Sequence, residues 1–376
     1  ILSPLLVDEK LAESLKDTTD MLTKITNYLS SANFGVGIVL GGSLQNLYGM
    51  IRSMQMMLLS ALADVAYPAP TLIYFQGAIL FAGMDVCSGE DFYEKNFVFQ
   101  ETKPVNIRFD EFGIGDKIYT SNSGSFLIMQ LVIILWFFGK KMLLWVCIRY
   151  SHYRVPRAIG MYLGVVDPTS LRKGTLRLWL ESYFDVSIIT FINIMAWIET
   201  DDVRKFFSTV PDFVNSIIVL VSLVAIFGFP VWIFKNIYKY RDDLMNPEFK
   251  EEFDWLFEDL RATTLDVALF QFFFVARRLY FAILLTFLSD YTVLQMINLV
   301  IVSVIQMIYL VASQPFTKFV NNQIEFFNEA SIFVCSIMVL TISNPNNSTE
   351  QNLTIGWALI YAVSINVVGN FAIVGI

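Results

Sequence analysis

The chain has 376 residues, of which 55% are hydrophobic and 16% charged, against about 25% charged in an average soluble protein. That composition excludes a water-soluble domain, and with 34 Phe it also excludes collagen-like, low-complexity and disordered readings. The net charge of −8 argues against nucleic acid as a partner, because that contact needs a basic footprint. An all-α polytopic membrane bundle remains, and at about 20 residues per crossing the length accommodates about nine spans.

In chain order, residues 1–20 read as an outer pre-membrane segment. The chain opens at Ile1 without a Met or signal peptide and stops within an apolar run, so a piece of a longer polypeptide is expected. Residues 21–66 are long enough for a transmembrane hairpin, with Gly41-Gly42-Ser43 as its turn. The stretch 67–124 carries eight Asp or Glu against four Lys or Arg and reads as an acidic outer cap. Its apolar run from Leu72 to Met84 is too short to span and suits an interfacial or re-entrant helix.

The remainder, 125–376, carries seven apolar segments at 126–148, 176–198, 213–234, 265–288, 291–313, 326–343 and 355–376. Pro230 lies within the third, where it frees a backbone carbonyl and is expected to kink the helix. Between the third and fourth, 241–261 spaces Phe253, Leu256, Phe257 and Leu260 at helical intervals among acids. It reads as an amphipathic helix packed on the bundle rather than on anionic lipid.

Two independent signals orient the spans. Asn346, Asn347 and Asn352 are glycosylation-type acceptors, which places 344–354 outside or in the lumen. Alternating back from there makes 149–175, 235–264 and 314–325 cytoplasmic; with the flanking span ends, 139–177, 235–264 and 314–325 hold 8, 5 and 1 Lys or Arg, against 4 in 67–124 and 2 in 200–212. The positive-inside rule therefore gives the same orientation; a hairpin at 21–66 then puts the N-terminus outside, and a single span there would put it in the cytoplasm.

Charged residues within spans are costly unless paired or hydrated. Counted inward at 1.5 Å per residue, Arg52, Lys140, Asp185, Arg277 and Glu329 all fall roughly 17 to 22 Å below the outer surface. Arg278 adjoins Arg277, while Glu181 and Glu325 stand one turn further in, at i, i+4 from Asp185 and Glu329. Lys140, Lys141, Glu181 and Glu325 read as snorkelling to the inner headgroups. Adjacent arginines point about 100° apart on a helix, so Arg277 and Arg278 need different partners. Asp185 or Glu329 is expected to pair with Arg277, Arg278 or Arg52. Gln271, Gln295, Asn298 and Gln306 in the fourth and fifth of these segments suit interhelical hydrogen bonds.

Enzyme signatures are absent: the sequence has no Walker A loop, no dinucleotide fingerprint after a strand, no G-x-S-x-G elbow and no H-E-x-x-H. The lone His152, in Tyr150-Ser-His-Tyr-Arg-Val-Pro-Arg, suits a solvated helix end. Cys87, Cys147 and Cys335 are too few and scattered for a disulfide framework or a metal site; the last two suit apolar packing. No cofactor and no metal are expected. Neither an S4-like arginine array nor a potassium-filter sequence is present.

Three stretches carry a resemblance: Leu44-Gln-Asn-Leu-Tyr-Gly-Met-Ile-Arg-Ser-Met-Gln-Met-Met with Tyr67-Pro, the Arg277-Arg278 pair, and Gln314-Pro-Phe with Asn322, Glu325 and Asn328-Glu329. Over about 44–344 the chain resembles the C-terminal multi-pass module of very large cysteine-rich surface proteins of ciliates, which is distantly similar to TRP-like and polycystin-like membrane domains. The resemblance implies a helical bundle behind a long extracellular region in the plasma or ciliary membrane, with a channel-like or sensory role. The chain departs from it in lacking a selectivity filter and in having only a modest counterpart, 67–124, of the polycystin loop. The leading expectation is a non-enzymatic module anchoring an extracellular assembly. The alternative is a TRP-like cation channel or transporter in which Asp185, Glu325 and Glu329 line a path gated by Arg52 or Arg277. A lipid-directed membrane enzyme would need acid–base groups beside a lipid-open cleft. Expected partners are the bilayer, an N-terminal ectodomain or associated surface proteins, and further subunits.

Overall fold

The computed structural model describes residues 45–82, 107–112, 118–150, 153, 170–199, 203–241, 244, 253, 256–257, 260–261 and 264–374. Their helices are α1 (Gln45–Leu59), α2 (Ala69–Ala82), α3 (Ile107–Glu111), α4 (Tyr119–Asn122), α5 (Gly124–Arg149), α6 (Ser170–Glu199), α7 (Val210–Lys239), α8 (Leu265–Ala268), α9 (Phe270–Phe287), α10 (Thr292–Ser313), α11 (Phe319–Ile342) and α12 (Thr349–Val374). Among the described residues seven segments are long and apolar enough to cross a bilayer: α5, α6, α7, α8 with α9, α10, α11 and α12. The chain is an all-α, polytopic membrane protein. The seven coincide with the seven hydropathy segments, although α11 and α12 begin at Phe319 and Thr349, several residues before the apolar runs. In α11 the reason is visible: Asn322, Asn328 and Glu329 are buried against neighbouring helices, so they belong to the span despite their polarity.

Local sequence explains the ends. Thr209 caps α7 by accepting from the Asp212 amide at 3.3 Å, with Pro211 in the first turn, where its missing N–H costs nothing. Ser348 and Gln351 form a reciprocal capping box at the start of α12: the Ser348 amide donates to Gln351 Oε1 at 2.8 Å and the Gln351 amide to Ser348 Oγ at 3.2 Å. Gln314 ends α10 in the left-handed conformation, φ 42°.

The short connections 288–291, 314–318 and 343–348 make α9 to α12 alternate in direction. Asp64, just beyond α1, accepts from Thr292 Oγ1 at 3.0 Å, which sets the end of α1 beside the start of α10 and at the same end of the bundle as the sequon turn. The Tyr119 and Thr120 amides, ahead of α5, donate to Asn193 and Asn215, both at 3.1 Å, near the end of α6 and the start of α7. This is the sequon end. At the opposite end, Leu260 and Phe316 form an isolated antiparallel bridge, and the Arg261 amide donates to the Pro315 carbonyl at 2.7 Å.

Burial separates core from periphery. Within the most apolar part of each span, 78% of α6 is buried inside the bundle and only 11% of α5. Leu131, Leu135, Phe138, Met142 and Trp145 of α5 are left facing outward, as lipid contact requires. The helix α1 is buried on every side from Ser53 to Leu59, the property of a helix enclosed by others. It packs against α2, α6, α11 and α12. Its described part, Gln45–Leu59, covers roughly 22 Å. The expected hairpin 21–66 thus has at least the end of its second arm as a central helix, and its first arm lies outside the described residues.

The cap and the amphipathic segment are seen in part. Within 67–124, α2 is the short apolar helix, and Arg108 of α3 donates to the Val65 carbonyl at 2.6 Å beneath the Tyr67 ring. Burial pushes the Tyr67 phenol up from its ordinary range, so it stays a neutral donor to the Ser60 carbonyl. Within 241–261, Phe253, Leu256 and Leu260 are buried and Phe257 half-buried, which places the spaced apolar positions against the bundle.

Candidate functional site: a buried charge layer

Four helices bring the layer together. From α1, Arg52 donates through Nε to Glu181 Oε2 at 2.9 Å and through Nη2 to Glu181 Oε1, a two-pronged grip on α6. From α9, Arg277 Nη1 pairs with Glu329 Oε1 of α11. Its neighbour Arg278 turns the other way and is 1% exposed; its guanidinium lies 4.2 Å from the Phe274 ring centroid and donates to the carbonyls of Glu181 at 3.5 Å and Arg52 at 3.4 Å. Arg52 approaches the same ring at 4.8 Å, so Phe274 is a π-face shared by two cations. Adjacent arginines therefore serve different partners, as their angular separation demands.

The carboxylates divide into two kinds. The side chains of Glu181 and Glu329 are 4% and 6% exposed and held by guanidinium groups. Asp185 accepts from the neutral Gln55 Nε2 at 3.2 Å and lies within electrostatic reach of Arg278. Glu325 is half-buried, among Glu329, Arg52, Arg277 and Arg278. Among the described residues, three arginines thus face four carboxyl groups.

Beside the layer stands a polar junction of α1, α11 and α12. Asn328 Oδ1 accepts from Asn366 Nδ2 at 2.9 Å and from Asn370 Nδ2 at 2.7 Å, and Ser53 Oγ donates to Asn366 Oδ1 at 3.3 Å. Asn328 and Ser53 each adjoin a member of the charge layer, Glu329 and Arg52. Among the described residues no group of three His, Cys, Asp or Glu is placed to hold a metal ion.

The expected pairing of Glu329 with Arg277 is present. Glu181 is a correction, because it does not snorkel: it is 3% exposed and gripped by Arg52, α1 reaching α6 at the level where hydropathy suggested headgroups. Lys140 is half-buried on the peripheral α5 and enters none of these pairs, and Lys141 lies over the Phe137 ring at 4.5 Å. Gln295 donates to the carbonyls of Leu284 and Leu288, both at 2.9 Å, closing the last turn of α9. Asn298 accepts from Tyr280 at 2.6 Å across α9 and α10. Gln271 and Gln306 are buried on α9 and α10. Cys147 and Cys335 are buried, the latter 3.7 Å from Met57 Sδ, whereas Cys87 and His152 lie outside the described residues.

Of the three acceptor asparagines, Asn346 is exposed; Asn347 Nδ2 is committed to the Thr341 carbonyl at 2.7 Å and to Asn352 Oδ1 at 2.9 Å. Pro230 does not end α7, which continues to Lys239. The Ile226 carbonyl that it deprives of an amide partner accepts the Tyr183 hydroxyl of α6 at 2.7 Å. Sequence reasoning quoted Ser53, Gln55 and Asn328 only within motifs, with no role, and passed over Asn193, Asn215, Asn366 and Asn370. The i, i+4 spacing of Asn366 and Asn370 was the available signal for the last two.

No protein-family model, no curated protein and no solved structure matches the chain. The stretches around Arg52 and from Gln314 to Glu329 have structural work. Arg52 and Glu329 belong to the layer. Asn322 closes the Gln314-Pro-Phe turn, accepting from the Phe316 amide at 3.1 Å and donating to the Phe316 carbonyl at 3.0 Å.

Proposed function

We propose that the chain is a non-enzymatic integral membrane module that anchors an assembly at the sequon end of the bundle, the extracellular side by the positive-inside count, and couples it across the bilayer. The observation that carries this reading is the closed pairing of Arg52 with Glu181 and of Arg277 with Glu329 inside the bundle. Removing one member of a buried pair costs about 3 to 5 kcal/mol, so such a layer serves to fix four helices in one arrangement. A conduction path would set these carboxylates against water instead. The outward apolar faces of α5, α7 and α10 supply the bilayer contact. The reading is consistent with the ciliate-surface resemblance and favours its anchoring aspect over its channel aspect.

Reconstitution into liposomes tests it directly. The expected result is no potassium, sodium or calcium flux above protein-free vesicles. Flux above that background, changed by E329Q or E181Q, overturns the proposal in favour of a TRP-like channel or transporter.

A further inference from the structure

Among the described residues the close helix contacts fall into two sets. In one, α5, α7 and α9 pack on α6; in the other, α1, α10 and α12 pack on α11, with α2 against α1 and α12. Between the sets, α1 meets α6 and α9 meets α10. The charge layer lies on this seam, and its side-chain pairs cross it: Arg52 to Glu181, Gln55 to Asp185 and Arg277 to Glu329. Arg52 and Arg277 each have a further carboxyl group one turn from the present partner, on the same face of the same helix: Asp185 next to Glu181 on α6, and Glu325 next to Glu329 on α11. Both helices run toward the sequon end, so Asp185 lies outward of Glu181 and Glu325 inward of Glu329. Arg52 therefore approaches Asp185 when its set moves outward past the other. Arg277 stands in the other set, and the same movement brings it toward Glu325. Had either acid pair stood in the reverse order, the two exchanges would need opposite displacements. Arg277 also has donors to spare, since it holds Glu329 through Nη1 while its Nε and Nη2 are buried without a hydrogen-bond partner.

We infer that the seam is a two-position ratchet: the helix sets slide past one another by at most one turn, roughly 6 Å, Arg52 passing from Glu181 to Asp185 as Arg277 passes from Glu329 to Glu325. The short turn 288–291, with Gln295 donating to the carbonyls of Leu284 and Leu288, keeps α9 and α10 together. The movement pivots there and is largest at α1, and the long arginine stems take up part of it. Each position keeps both arginines on a carboxylate, so neither leaves one of these guanidinium groups unpaired inside the bundle. The layer that holds the observed arrangement thus also defines a single alternative to it. The inference rests on the proposed coupling across the bilayer and deepens it, because the displacement carries the sequon end and the opposite end of one set together.

Pulsed electron paramagnetic resonance of the spin-labelled full chain in lipid nanodiscs, in a background with Cys87 replaced, tests it. Two label pairs at exposed positions run diagonally across the seam: S208C with A372C, and K239C with N346C. Ser208 and Asn346 lie at the sequon end, Lys239 and Ala372 at the opposite end. E329Q removes the present partner of Arg277 and should populate a second distance in both pairs, shorter by up to roughly 6 Å in the first and longer in the second. E329Q/D185N should restore single distances, because Arg52 then has no second carboxylate to receive it. Unchanged distances in E329Q, changes of one sign in both pairs, or a second distance that survives D185N overturns the inference. If E329Q does not accumulate as folded protein, E181Q decides in the same way, with E325Q as its suppressor. Ion flux is not read in this experiment, so its failure and that of the anchoring proposal are distinguishable.

Discussion

At Tyr183 the side chain of one span completes the backbone of another. Pro230 leaves the Ile226 carbonyl without its intrahelical donor, and the Tyr183 hydroxyl substitutes for it within a buried interface. Y183F should therefore lower stability in detergent by about 1 kcal/mol, the net worth of a hydrogen bond within a bundle. In a P230A background the amide of residue 230 returns to Ile226, and Y183F should then cost clearly less. Thermal unfolding midpoints of the two single variants and the double variant measure this coupling, and additive losses would refute the account. The freed carbonyl was legible from Pro230 alone. Its partner was not, because Tyr183 lies far away in sequence and nothing local joins α6 to α7. The Arg277–Arg278 pair divides in the same way: helical geometry required two partners, and only the packing of α1, α6 and α11 around α9 determined which.

Helix contacts at the sequon end depend on one close approach. A Cβ on Gly356 of α12 would meet Thr71 Oγ1 and stand 2.9 Å from Pro68 Cγ, so α12 and the start of α2 touch there because no side chain intervenes. Gly139 of α5 and Gly228 of α7 have open space at the same atom. G356A is expected to lower the unfolding midpoint, whereas G139A and G228A should leave it unchanged or raise it slightly, since Ala suits a helix better than Gly. Equal behaviour of the three variants would show that the α2–α12 contact does not matter. Hydropathy and run length identified the spans, and run length set the short apolar helix in 67–124 apart from them. It did not rank the glycines, because whether a glycine meets open space or the side chains of another helix is a property of the neighbour and not of the segment.

For the whole molecule the outcome to check is sidedness. Asn346 is exposed in the turn between α11 and α12, and Lys318 is exposed in the turn at the opposite end of α11. In intact cells, in a background with Cys87 replaced, a cysteine introduced by N346C should react with an impermeant maleimide added outside. One introduced by K318C should react only after permeabilisation; the reverse pattern would invert the orientation. Cys147 and Cys335 are buried and should stay silent.

Composition and apolar run length were enough to establish a helical membrane protein with these seven spans, because a bilayer leaves few ways to satisfy a backbone and each requires a long apolar helix. Depth counting along those helices also brought Arg52, Asp185, Arg277 and Glu329 to one level, since rise per residue is fixed. Only the tertiary structure decided that Glu181 is gripped by Arg52, that Lys140 stays at the periphery, and that the helix carrying Arg52 is enclosed at the centre of the bundle. Azimuth and neighbour are set by packing between segments distant in sequence, and hydropathy carries no record of which face of one helix meets which face of another.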